Sequence, residues 1–309
     1  MKERSERQIW NLKAKDFVKK SVHASQDWRF QMFFEYLRIS PSYALAVKIN
    51  KKELAIRLDD AARAELVWKT RMDIGDVFEI LYREWWLENG LNLFGIHTKK
   101  PKIELIQRLS PLLEDDLLLT QSGKEIKNYM KGDYLEQGRP DSILLSIPLG
   151  QKRTATIREL KKLLSAIENE ATPFVPSTLY QIQNNKMQYR RLLAGLKLIY
   201  MRAANPKEAL WQVAARAKIS YSHGRIDPNA PKKDLQNAQG RRMLTIMASR
   251  LIHDTLIIAE NAATGIFPSL ELIDTHLFDA ESLQKSLHKT IKWERDRKAE
   301  LLALSRTVT

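Results

Sequence analysis

Residues 27–47 read DWRFQMFFEYLRISPSYALAV, and this stretch decides the fold class. Trp28, Phe30, Met32, Phe33, Phe34, Tyr36, Leu37 and Ile39 are too dense for the single apolar stripe of a surface helix, so the segment predicts a helix buried on more than one side. Ser40-Pro41-Ser42 ends it. A residue before proline is pushed out of the α region, and Ser42 is placed to cap a second helix running through Ala44 and Val47.

Outward from this pair the helical pattern continues. Ile9, Trp10, Leu12, Phe17 and Val18 form a broken helical stripe, and residues 74–89, IGDVFEILYREWWLEN, predict another helix that Asn89-Gly90 would stop. Aromatic rings at that spacing serve a core more often than a base-stacking surface, so Trp85 and Trp86 are read as core. Beyond residue 100 the pattern changes. KIELIQRL at 102–109 and SILLSIP at 142–148 alternate or run apolar between turn signals, as short strands do. TIRELKKLLSAIENE then reads as a helix with Thr156 and Glu159 in a capping box. ATPFVPS at 171–177, with two prolines, marks a linker. Helices are expected at about 178–203, 206–219 and 233–263, and an amphipathic one near the end of the chain. The expected fold is therefore mainly α, a multi-helix protein with a small α+β insert of two or three short strands near residues 100–165. Its organisation is an aromatic-rich part at 1–100, a small α+β segment at 101–171 and a basic helical domain at 172–309.

Composition narrows the chemistry. A chain of 309 residues can bury a sizeable core unaided, and the absence of cysteine excludes disulfides, thiolate metal sites, iron–sulfur clusters and cysteine nucleophiles. Mean hydropathy of -0.39, no apolar run near spanning length and an amino-terminal MKERSERQIW without an apolar leader point to a cytoplasmic protein that does not enter membrane. The net charge is +14, and residues 151–250 alone carry +13. A solubility charge would spread more evenly, so this block is the candidate footprint for a polyanion. The residues proposed to bind nucleic acid are Lys152, Arg153, Lys186, Arg190, Arg191, Lys197, Arg216, Lys218, Arg225, Lys232, Lys233, Arg241 and Arg242. Lys186, Arg190 and Lys197 recur at intervals of four and seven, along one helical stripe that could track phosphates. Lys152 and Arg153 belong to a Gly150–Thr154 loop that opens a helix, where backbone N–H groups favour phosphate. Interleaved aromatics are sparse in this half, which favours a duplex over a single strand, with RNA as the other nucleic acid. The neutral front half is free to present protein contacts, and an acidic protein is the competing partner for the basic half.

Two local resemblances bear on function. NPKEALWQVAARAKIS at 205–220 resembles the first half of helix-turn-helix DNA-binding modules, with Pro206 at a helix start and Leu210, Val213, Ala214, Ala217 and Ile219 on the packing side. It departs from them where YSHGRIDPNAP interrupts the second helix. Arg216 and His223 are spaced as in the R-x4-6-H motif of HEPN-type helical ribonucleases, which implies metal-independent RNA cleavage as an alternative, beside a nuclease whose carboxylates come from distant segments; Ala217 departs from the polar residue common after that family's Arg. No other catalytic pattern is present. The six histidines form no H-E-x-x-H or H-x-E motif, no phosphate-binding P-loop occurs, and Glu114-Asp115-Asp116 reads as an exposed turn. The expectation is a non-catalytic nucleic-acid-binding protein, a bacterial-type regulator or a subunit of a larger nucleoprotein complex, with no cofactor and no metal.

Overall fold

Asp27 and Ser40 bracket the first long helix in the computed structural model, which describes residues 11–167, 178–183, 187–222, 226–230 and 237–307. A 3-10 turn at Ala14–Phe17 comes first in the chain, followed by a strand pair, β1 (Val18–Lys19) and β2 (Val22–His23), paired antiparallel. Helices follow: α1 (Trp28–Ile39), α2 (Pro41–Lys48), α3 (Lys51–Leu58), α4 (Ala61–Ile74), α5 (Tyr82–Trp85), a π-turn at Trp86–Gly90 and α6 (Leu91–Phe94). Then come α7 (Asp115–Lys131), α8 (Asp133–Glu136), α9 (Arg153–Ile167), α10 (Tyr189–Ala204), α11 (Leu210–Ala217), α12 (Ala238–Ala263) and α13 (Ala280–Thr307). The fold is mainly helical with one small strand pair, and among the described residues no helix is long and apolar enough to cross a membrane.

Two compact units divide the chain. One comprises residues 1–17, 25–95 and 179–309; the other comprises 18–24 and 96–178. In the larger unit, short polar side chains set the helix starts. Asp27 accepts from the Arg29 amide at 2.8 Å, Asn50 from Glu53 at 3.0 Å and Asp60 from Arg63 at 3.0 Å. The break at Pro41 is real, but its cap is Ser40, whose Oγ accepts from the Tyr43 amide at 3.2 Å, and not Ser42. Ser42 is completely buried and used elsewhere: its amide donates to Glu260 at 3.2 Å.

The dense aromatic segment is the core, as expected. Phe30 lies 4.9 Å from Trp86, Phe34 lies 5.0 Å from Trp85 and Phe33 lies 5.3 Å from Phe94, ring centre to ring centre. Trp85 and Trp86 are fully buried, with their indole N–H groups donating to the carbonyls of Ile74 and Asp16. The helix expected over 74–89 is shorter and displaced. Gly75, at φ +84°, closes α4, and helical turns resume at Tyr82 and run through Gly90. Gly90 is not a stop but a packing position: a Cβ there would meet Trp86 at 2.7 Å and Trp85 at 2.9 Å.

The smaller unit holds the strand pair, with His23 and Ile96 exchanging backbone hydrogen bonds of 3.0 and 2.7 Å. The strands expected at 102–109 and 142–148 do not form; both segments lack regular structure. Strand conformation needs a laddered partner, and here Ile103 and Leu105 of the alternating face are 97% and 86% exposed. Part of the intervening segment is instead α7, with Asp115 and Asp116 in its first turn, where the helix dipole favours carboxylates. The helix after Gly150 starts at Arg153, ahead of the Thr156 expected to cap it; the Thr156 hydroxyl reaches the Lys152 carbonyl at 3.5 Å. The 171–177 linker lies outside the described residues.

Candidate nucleic-acid interface

Helices α10, α11 and α12 pack around one apolar cluster made by Leu198, Trp211, Val213, Ala214, Ala215, Leu244 and Ala248. α10 crosses α12 where it carries Gly195, and a Cβ there would fall well inside contact distance of the Thr255 hydroxyl. Burying these faces turns the polar faces outward. On α10, Leu192, Leu196, Leu198 and Ile199 are buried while Arg190, Arg191 and Lys197 are exposed. On α12, Arg242 and Arg250 are exposed beside Gln239 and His253.

The predicted cations are not equivalent. Arg190, Lys197, Lys218 and Arg242 stand at the surface. Arg191 is exposed but pairs with Asp254 at 2.6 Å, linking α10 to α12. Arg216 is half-buried: its Nε reaches Glu208 at 3.0 Å and its Nη2 donates to Asn229 Oδ1 at 2.8 Å, so it braces the loop around α11. Arg241 is 7% exposed and lies over the Trp211 ring, 4.5 Å from its centre, which makes it part of the core. Lys152 and Arg153 are exposed at the start of α9 in the other unit, where two cations meet the positive end of a helix dipole. Lys186, Arg225, Lys232 and Lys233 lie outside the described residues.

The segment likened to a helix-turn-helix forms one helix, α11, which starts at Leu210 and not at Pro206, where the chain makes a turn. Lys218 takes up a left-handed conformation, φ 52°, as the C-cap of α11, and the described residues between it and Ala230 contain no helix. His223, the other half of the ribonuclease-like pair, also lies outside the described residues, and its Arg216 is the one engaged by Glu208. Among the described residues no group of three or more His, Asp or Glu side chains could hold a metal ion.

A half-buried acid–phenol contact between α1 and α10 was missed by sequence reasoning. Tyr200 donates to Glu35 Oε2 at 3.2 Å, and burial pushes both the carboxyl and the phenol above their ordinary values. Nearby, the Tyr36 hydroxyl donates to the Leu192 carbonyl at 3.1 Å, and burial raises its phenol too. Also missed was Trp28, which meets Tyr189 at the start of α10; nothing in its local sequence separates it from the core aromatics that follow. Comparison of the chain with family models, with curated proteins and with solved structures found no significant match.

Proposed function

We propose that this is a non-catalytic nucleic-acid-binding protein of the cytoplasm that takes duplex DNA in preference to RNA, as a bacterial-type regulator or as a subunit of a larger nucleoprotein complex. The observation carrying the proposal is the exposed set Arg190, Lys197, Arg242 and Arg250 on two helices of one unit, whose opposite faces are committed to the core. Arg190 and Lys197 are two turns apart on α10, a spacing of roughly 10 Å along the helix, which is within reach of successive phosphates. Arg191 contributes by tying α10 to α12, and Arg216 by bracing the loop around α11.

A salt series tests this reading. The logarithm of affinity for a blunt DNA duplex should fall linearly with the logarithm of salt concentration. Each cation lost from a phosphate contact should shallow the slope by about 0.9, so Arg190→Ala with Lys197→Ala should reduce it by about 2. Absence of any DNA or RNA retention at low salt would end the reading and leave an acidic protein as the partner of this face.

A further inference from the structure

Two exposed aromatic rings stand together at the start of α10, next in the chain to Arg190 and Arg191. Trp28 is the first residue of α1 and Tyr189 the first of α10; their ring centres are 5.1 Å apart and their planes meet at 80°. Each is 41% exposed, whereas the other rings of α1, Phe30, Phe33, Phe34 and Tyr36, are buried. In a perpendicular pair the ring that offers its edge keeps both of its own faces off its partner. The surroundings are cationic. Tyr189 is followed by the exposed Arg190 and by Arg191, which pairs with Asp254. The one nearby carboxylate along α1, Asp27, is neutralised by Arg29, whose Nη2 lies 2.6 Å from it and whose Nη1 donates to the Gln183 carbonyl at 3.3 Å. Single exposed aromatics are ordinary; here two from distant parts of the chain meet at the surface beside arginines.

We infer that Trp28 and Tyr189 form a stacking site for an unpaired nucleobase, next to the phosphates held by Arg190 and Lys197. An open ring face accepts any base, and flanking guanidinium groups hold the backbone on either side of it. This rests on the nucleic-acid reading above and narrows it: the preferred DNA is a duplex that ends in, or opens into, a single-stranded stretch.

The test compares three labelled probes on the intact protein: a blunt duplex, the same duplex with a four-nucleotide thymidine overhang, and oligothymidylate. The overhang should tighten binding about fivefold to a hundredfold. Trp28→Ala and Tyr189→Ala should abolish that gain and leave blunt-duplex affinity unchanged, while Trp28→Phe should keep part of it. Loss of the 280 nm-excited fluorescence change on oligothymidylate addition in Trp28→Phe, relative to the parent protein, reports stacking independently of affinity. Equal affinity for blunt and overhung probes, or an overhang preference retained by both alanine variants, overturns the stacking site while the basic-face reading stands. Failure of all three probes to bind overturns both.

Discussion

Arg241 and Arg242 are neighbours in the chain with opposite fates: the first is buried with its guanidinium 4.5 Å from the centre of the Trp211 ring, and the second is exposed to solvent. A cation over an indole face out of water contributes about 2 kcal/mol, and its methylenes add packing. Arg241→Ala should therefore lower the stability of the larger unit by about 2 kcal/mol in urea denaturation and leave the salt slope of DNA binding unchanged. Arg242→Ala should do the reverse.

The crossing of α10 and α12 depends on Gly195. A methyl group there would collide with the Thr255 hydroxyl and lie 3.3 Å from its Cβ and Cγ2. Overpacking of this kind costs about 1–3 kcal/mol. Gly195→Ala should show that loss, and Gly195→Ala combined with Thr255→Ala should recover much of it. A double-mutant cycle by chemical denaturation gives the coupling directly.

The buried carboxylate of Glu260 ties α12 to α2 and α4. It accepts from Ser40 Oγ at 2.7 Å and from the Ser42 amide at 3.2 Å, and it pairs with Arg63; Glu260 is 1% exposed and Arg63 7%. Removing one partner leaves an uncompensated charge, at a cost of about 3–5 kcal/mol, whereas replacing both with apolar groups of similar volume is far milder. Glu260→Ala should be severely destabilised. Arg63→Met with Glu260→Leu should be closer to the parent, as read from thermal and urea midpoints.

Stability should also carry a pH signature from Glu35. Its carboxyl is raised above the ordinary value of 4.5, chiefly by burial, so the folded state binds more protons than the unfolded chain as pH rises through and above that value. The contribution of Glu35 is thus complete below pH 4.5 and is lost as pH climbs through the raised folded value. Urea midpoints of the parent relative to Glu35→Gln should fall over that interval, and a constant difference across it would contradict the assignment.

Much of this protein is determined by pattern alone. The density of apolar residues in 28–39 can only be accommodated by burial on several sides, and proline at 41 forces the chain to break at Ser40 whatever surrounds it. The charge block at 151–250 and the amphipathic character of α10 and α12 are likewise local properties. Tertiary structure decided the rest, because it depends on which neighbour arrives. Gly90 has the composition of a helix stop, yet two tryptophan rings from its own turn make it a contact point. The segments at 102–109 and 142–148 have strand-like alternation but no laddered partner, and alternation without paired backbone groups does not hold a strand. Arg241 is indistinguishable from Arg242 until Trp211 is placed beneath it. Trp28 looks like the first of a run of core aromatics until α10 brings Tyr189, and with it the arginines, to its side.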